Sequence, residues 1–262
     1  MSSIRTRRSL SEELSRKLGQ PIHVTEQDVL DAKELSEGSK EAEKLVMPLA
    51  RWMARQIGLN SRAACSEADT KRLYRIFEKA VTKYDKVVSK VPDIGRMRLY
   101  IEKPEDVIAL RRLLFGDNPR YYDDRKGIIQ DPNVSNEITL KEVEDFYHVP
   151  SKTGRVGLHI QLAVKIPGNK IIPFEIQIIH KDMKETEDFT RENYDEAKTI
   201  QRRALLEKRP LTDDEAEAVA NYDESSQKRY LADSIKHGLV DLRRFDLRRA
   251  ASQKAAHFHL AS

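Results

Sequence analysis

The sequence predicts an α/β fold in which a mixed, mostly antiparallel sheet is flanked by helices. Residues 157–165 and 171–178 both alternate apolar and polar side chains with the period of a strand. The link between them, residues 166–170, contains Pro and Gly and is short enough for a hairpin turn. Helical patterns precede and follow this region, so we expect the sheet to lie within about residues 70–180.

Length and composition limit the class of protein. The chain has 262 residues, of which 39% are hydrophobic and 34% charged, with a formal net charge of +4. This balance supports a hydrophobic core and predicts no bulk attraction to nucleic acid. The only cysteine, Cys65, excludes an internal disulfide and a multi-cysteine metal site, and it fits a cytoplasmic protein. No apolar stretch reaches the length of a membrane span, so we expect no membrane partner.

The first part of the chain, residues 1–65, predicts helices and nothing more specific. Thr25 opens a helix-start signal, and residues 42–59 carry an apolar stripe at helical spacing. Residues 66–84 predict a long helix opened by Ser, Glu and Asp. Basic residues recur on it at three- and four-residue steps and so share one face: these are Arg72, Arg75, Lys79 and Lys83.

The middle of the chain supplies further strands. Residues 97–101 predict a strand, and residues 102–115 a helix with Pro104 in its first turn. Residues 116–136 are typical of a loop, and residues 138–149 predict one or two strands.

The C-terminal part is again helical. It predicts helices over residues 181–206, from residue 211 onward, and from about 225 to about 242, followed by an Arg-rich tail. We therefore expect an N-terminal helical region (1–65), a sheet-containing domain (66–205) and C-terminal helices (206–262).

The polar side chains of the predicted strands indicate chemistry. The strand at 97–101 and the hairpin place one set of polar residues on the same sheet face: Arg98, His159, Gln161, Glu175 and Gln177. A carboxylate, a histidine and an arginine together suit the binding of Mg²⁺ and polyphosphate. A second carboxylate, Asp93, precedes the arginine strand, and the basic helix face is available to neutralise phosphates.

Three segments resemble the synthetase domain of RelA/SpoT-type alarmone synthetases, which transfer pyrophosphate from ATP to the 3′-hydroxyl of a guanine nucleotide. Residues 93–98 resemble the aspartate-containing strand entry that ends in arginine. Residues 145–159 are similar to a loop and strand that read D-Y-x-x-x-P and then G-Y-x-S-I-H. Residues 174–178 resemble the E-x-Q-I strand. The helix that follows, with Glu187 and residues 190–195, is similar to that of small and phage- or toxin-associated members.

The resemblance implies a nucleotidyltransferase-like fold and an ATP-dependent pyrophosphokinase that makes alarmones of the (p)ppGpp type with Mg²⁺ as cofactor. It implies that Asp93 and Glu175 are the metal ligands and catalytic residues, with Glu175 also orienting or deprotonating the acceptor hydroxyl. It assigns the ATP phosphates to Arg72, Arg75, Lys79 and Arg98. It assigns the acceptor side to Lys152, Arg155, His159 and Gln177.

The implied partners are ATP and an acceptor that is either a nucleotide or a tRNA 3′ end. Toxin-associated members also imply an antitoxin or immunity protein, and an effector would act in the cytoplasm of a target cell.

Several positions depart from the family pattern. Arg155 stands where the family has a guanine-stacking tyrosine, Glu144 reverses the charge of a lysine, and Ile179 replaces an arginine. Two functions therefore remain open. One is a pyrophosphotransferase divergent in base recognition. The other is a catalytically inactive relative that binds nucleotide or RNA or serves as an interaction domain.

Overall fold

The structure is a computed structural model that describes residues 2–18, 21–115, 137–148 and 150–239. Within these residues the helices are α1 (Ser2–Leu18), α2 (Glu26–Gln56), α3 (Ser61–Ala64), α4 (Leu73–Lys83), a 3-10 turn (Val88–Lys90), α5 (Pro104–Phe115), α6 (Met183–Leu206) and α7 (Asp213–Lys236). The strands are β1 (Asp69–Thr70), β2 (Gly95–Ile101), β3 (Ile138–Asp145), β4 (Leu158–Ile166) and β5 (Lys170–His180).

The five strands form one sheet in the order β1-β2-β5-β4-β3. The predicted hairpin is confirmed, because β4 and β5 pair antiparallel with His159 opposite Gln177 and Gln161 opposite Glu175. Strand β2 lies parallel to β5, and the other pairings in this sheet are antiparallel. The predicted α/β class, with a mixed and mostly antiparallel sheet flanked by helices, is therefore confirmed.

The apolar face of the sheet packs against α2 and α5 and forms the main core. Its fully buried side chains include Val46, Leu99, Leu110, Ile160 and Ile176. Each such side chain contributes roughly 1.5–3 kcal/mol by leaving water. Helix α2 comes so close that a Cβ added to Gly38 would lie 2.5 Å from the Cδ1 of Ile172.

Two helix predictions were wrong. The sequence predicts one helix over residues 66–84, but Asp69–Thr70 pairs with β2 as a short edge strand and α4 begins only at Leu73. Hydrogen bonding along the sheet edge takes the backbone groups that a helix would have used. Arg72 is consequently the N-cap of α4 and not a member of its basic face.

The second error concerns the last helix. The sequence predicts a new helix near residue 225, whereas α7 runs unbroken from Asp213 to Lys236. No Gly or Pro interrupts this stretch. A capping box between Thr212 and Glu215 fixes its start. The helices predicted at 102–115 and 181–206 are confirmed as α5 and α6.

Some predictions lie outside the described residues, namely the loop at 116–136 and the Arg-rich tail beyond 242. The division of the chain at residues 65 and 205 stays a prediction. Among the described residues, no helix combines the length and the apolarity needed to cross a lipid bilayer.

Candidate active site

The second face of the sheet is polar, and strand register aligns its side chains in two rows. One row runs across the sheet through Arg98, Gln177, His159 and Glu144. The other runs through Arg96, Glu175, Gln161 and Glu142. Directly paired residues of neighbouring strands point to the same side, so all of them share one surface, called the polar face below. Helices α4 and α6 contribute charged side chains to it.

Asp93, just before β2, is held by two lysines. One carboxylate oxygen accepts a hydrogen bond from Lys79 Nζ at 2.8 Å, and the other accepts one from Lys71 Nζ. Burial opposes ionisation of Asp93, but the charges and hydrogen bonds of the two lysines outweigh it and lower its pKa to about 2.

Lys71 responds differently from its partner. Burial lowers the pKa of Lys71 to about 8 and outweighs the attraction of Asp93. The carboxylate faces two cations, whereas Lys71 is attracted by Asp93 and repelled by Lys79 and Arg96. Asp93 is therefore ionised at neutral pH, whereas Lys71 loses its proton only slightly above neutral pH.

Glu175 lies on β5 and is only 7% exposed. Burial raises its pKa, and the negative charge of Asp93 raises it further. Gln177 Nε2 donates a hydrogen bond to Glu175 Oε1, and His159 Nδ1 lies 3.8 Å from Glu175 Oε2. Carboxylate oxygens are the ligands that Mg²⁺ prefers, so Asp93 and Glu175 are the candidate metal ligands of this site.

His159 and Gln177 offer further polar atoms on this face. Burial and the charge of Arg155 hold the pKa of His159 well below its usual value, so the imidazole is neutral. Among the described residues, the buried His159 Nε2 and Gln177 Oε1 have no hydrogen-bond partner. Buried polar atoms normally find one, so these two are available to water or to a ligand. The ring of Phe146 packs edge-on against His159, with the ring centroids 5.1 Å apart.

Glu187 of α6 neutralises two arginines of the site. Its Oε1 accepts one hydrogen bond from Arg155 Nε and also lies 2.7 Å from Arg155 Nη2, and its Oε2 lies 3.1 Å from Arg98 Nη2. The Glu187 side chain is only 9% exposed, so these ion pairs are shielded from water.

Sequence reasoning did not select Glu187 or Lys71 as site residues. For Glu187 a signal existed, because it follows the buried Met183 by one helical turn and so lies on the inward face of α6. No sequence signal indicated Lys71, because its position depends on the short strand β1.

A group of cations lies between α4 and α6. Burial lowers the pKa of Lys83, and the nearby Lys79 and Arg202 lower it further. Burial also lowers the pKa of Lys198, with Lys83 and Arg202 adding to the effect. Glu78 already pairs with Arg202 at 2.9 Å. Cations that repel one another are stabilised by an anion, and a polyphosphate supplies several negative charges at once.

The structure brings together seven of the residues selected from the sequence: Asp93, Lys79, Arg98, Arg155, His159, Glu175 and Gln177.

Three others are placed elsewhere. Arg72 is exposed at the N-cap of α4. Arg75 pairs with Glu78 at 2.9 Å and with Asp195 at 2.6 Å, and so links α4 to α6. Lys152 is 73% exposed and pairs with Asp223 of α7 at 2.8 Å. The catalytic and binding roles of all these residues stay predictions.

No protein-family model and no curated protein matches the sequence. Solved structures do. A GTP pyrophosphokinase family protein from Streptococcus pneumoniae is 12% identical, with 85% of this chain and 98% of that chain covered at a TM-score of 0.48. The small alarmone synthetase 2 from Bacillus subtilis is 13% identical, with 84% and 96% covered at a TM-score of 0.45. The small alarmone synthetase 1 from Bacillus subtilis, bound to its product pppGpp, is 15% identical, with 74% and 78% covered at a TM-score of 0.39. These proteins are of the kind that the three sequence motifs resemble.

Proposed function

We propose that this protein is an ATP- and Mg²⁺-dependent pyrophosphokinase that transfers the β,γ-pyrophosphate of ATP to a ribose 3′-hydroxyl. The observation that carries the proposal is the placement of the two carboxylates: Glu175 pairs in register with Arg96 of β2, three residues after Asp93, and the negative charge of Asp93 raises the pKa of Glu175. Lys79 of α4 and Lys71 of the segment before it both pair with Asp93. Phosphoryl-group transfer depends chiefly on positioning and on charge stabilisation, which such a surface can supply.

Asp93 and Glu175 would hold Mg²⁺, which when bound would neutralise charge on the transferring phosphates. Lys71, Lys79 and Arg98 bind the phosphates of ATP. Glu175 orients the acceptor hydroxyl and accepts its proton, and its raised pKa brings it nearer to the value that suits a general base at neutral pH.

The acceptor lies against Arg155, His159 and Gln177. The unpartnered His159 Nε2 and Gln177 Oε1 offer hydrogen bonds to it. The guanidinium of Arg155 is able to stack on a base, as tyrosine does, but with a different preference among bases. Lys152 lies towards solvent, where it would meet the more distant part of a larger acceptor such as a tRNA 3′ end.

A second candidate is an inactive domain that binds nucleotide or RNA. The ion pairs that the site residues already form with one another and with neighbouring residues favour this candidate. Both oxygens of Asp93 are engaged by lysines, and Glu187 engages Arg98 and Arg155. Glu175, Gln177 and His159 are all buried, so a substrate has to open these contacts before chemistry can begin.

One assay separates the candidates. The protein is incubated with Mg²⁺, ATP labelled in its outer phosphates and, in turn, GDP, GTP, ADP, ATP or bulk tRNA. Transfer of label to an acceptor supports catalysis, and we expect Glu175→Gln to lower the rate at least about 100-fold. The matched control is Glu142→Gln, which changes an exposed carboxylate in the same row of the sheet. Its rate should be unchanged.

The other outcomes decide against catalysis. Binding of ATP or tRNA without transfer to any acceptor supports the inactive domain, and absence of transfer together with absence of both kinds of binding contradicts both candidates. Arg155→Tyr tests base choice. Guanine-nucleotide transfer should rise in this variant if Arg155 sets the preference.

A further inference from the structure

Two histidines and an aspartate meet at the junction of three elements on the other side of the sheet. His180 ends β5, Asp182 is the N-cap of α6, and His237 is the C-cap of α7. Their potential ligand atoms all lie within 4.8 Å of one another. Asp182 Oδ2 is 3.4 Å from His237 Nδ1 and 3.8 Å from His180 Nδ1. Strand alternation places His180 on the face opposite to Glu175, so this cluster is separate from the polar face.

The hydrogen bonding of His180 directs a lone pair into the cluster. Its Nε2 lies 2.8 Å from the carbonyl oxygen of Glu102, a distance at which that nitrogen must carry the hydrogen and donate it. Nδ1 is then an acceptor and faces Asp182. The backbone N–H of Asp182 approaches it only at 3.4 Å, which is a weak hydrogen bond. Metal-binding histidines are typically oriented in this way, with the second ring nitrogen donating to a carbonyl.

Asp182 is available for the same purpose. Its side chain makes no capping hydrogen bond to α6, although it occupies the N-cap position. It is 46% exposed, while the His180 side chain is 4% exposed and that of His237 is 18% exposed. The fold therefore holds the two imidazoles in place, and the partly exposed carboxylate of Asp182 lies where an ion from solvent can reach it.

We propose that His180, Asp182 and His237 bind a divalent transition-metal ion, with Zn²⁺ as the representative. Two imidazoles and one carboxylate are the ligands that such ions prefer, and three protein ligands leave a fourth position for water. Tetrahedral bonds of about 2.0–2.1 Å place neighbouring ligand atoms about 3.3–3.4 Å apart. The Asp182–His237 separation of 3.4 Å already matches this value, and the Asp182–His180 separation of 3.8 Å needs a small side-chain adjustment. Mg²⁺ prefers oxygen ligands alone and is not expected here.

The ion would connect the end of β5 to the start of α6 and the end of α7. None of these residues is assigned to the proposed pyrophosphate transfer, so the proposal stands or falls independently of that function.

The test measures metal binding by the untagged full-length chain. Isothermal titration with Zn²⁺ should give one ion per chain, Zn²⁺ should raise Tm, and Co²⁺ should give the visible bands of a tetrahedral site. His237→Gln and Asp182→Asn should each weaken Zn²⁺ binding at least about 100-fold and remove the rise in Tm. Excess Mg²⁺ should not compete.

Two controls exclude other histidines. His23→Gln changes an exposed histidine and should bind Zn²⁺ as the unmodified chain does. The double change His257→Gln with His259→Gln tests the tail beyond the described residues. Circular dichroism without metal establishes that each variant is folded. The proposal is overturned if the chain binds no Zn²⁺, if the two site variants bind it unchanged, or if only the tail variant loses it.

Discussion

Arg155 Nε donates a hydrogen bond to Glu187 Oε1 at 2.8 Å, and Arg155 Nη2 lies 2.7 Å from the same oxygen as an ion pair. The other oxygen remains for Arg98 at 3.1 Å. Glu187 of α6 therefore pairs with both arginines that the sequence resemblance assigns to substrate binding. An incoming phosphate carries the same charge as Glu187 and competes with it for these arginines.

Glu187→Gln should strengthen ATP binding about tenfold, because the amide no longer neutralises Arg98 and Arg155. Isothermal titration with ATP in the presence of Mg²⁺ measures the change. Glu185→Gln, an exposed position on the same helix, should leave ATP affinity unaltered. Weaker binding in Glu187→Gln would show instead that Glu187 positions the arginines for the ligand.

Asp93→Asn should destabilise the protein in a pH-dependent manner. The folded-state pKa of Asp93, about 2, lies below its ordinary value of 3.8. Its contribution of about 2 kcal/mol is therefore present above pH 4 and is lost as the pH falls towards 2. Urea unfolding of both proteins from pH 6 to pH 2 should show their difference in unfolding free energy shrinking over that window. Asp188→Asn, at an exposed position, should show no such trend, and a constant difference for Asp93→Asn would contradict the prediction.

Asp145 belongs to one of the family-like motifs, yet its contacts are structural. It accepts two hydrogen bonds from Arg111 of α5, at 2.8 Å and 3.1 Å, and both side chains are at most 9% exposed. Asp145→Ala should cost about 3–5 kcal/mol of unfolding free energy, because the Arg111 guanidinium stays buried without this carboxylate. Combining it with Arg111→Met should restore part of the loss in urea unfolding. If the single and double variants lose the same unfolding free energy, burial of the Arg111 guanidinium without the Asp145 carboxylate is not the cause of the loss.

Tyr147, two residues after the end of β3, is hydrogen-bonded to the last residue of β5. Its hydroxyl oxygen accepts a hydrogen bond from the backbone N–H of His180 at 3.0 Å, and Tyr147 is 1% exposed. Tyr147→Phe should cost about 1–3 kcal/mol, because that buried N–H loses its acceptor. Thermal and urea unfolding measure the loss, and Tyr194→Phe, at 41% exposure, should be close to neutral. A cost below about 0.5 kcal/mol would show that water replaces the hydroxyl.

Strand alternation made the polar face predictable. Side chains on a strand alternate between two faces, so the sequence alone placed His159 with Gln161 and Glu175 with Gln177, and strand pairing then brought the two sets together. The helix-initiation signal at Thr25 was equally local, and the structure shows a capping box there. One error arose where a distant strand outweighed a local preference, at Asp69 and Thr70. The other was a helix break predicted near residue 225, where the structure has one continuous helix.

The amino-acid sequence by itself determined strands β2 to β5, most of the helices and the chemical character of the polar face, because the alternation of side chains and the signals at helix ends act within a few residues. Only the tertiary structure decided which charges pair. It placed Lys71 on Asp93, Glu187 on Arg155, and His237 beside His180. These contacts join segments far apart along the chain, and no local pattern encodes them, because they depend on how whole elements pack.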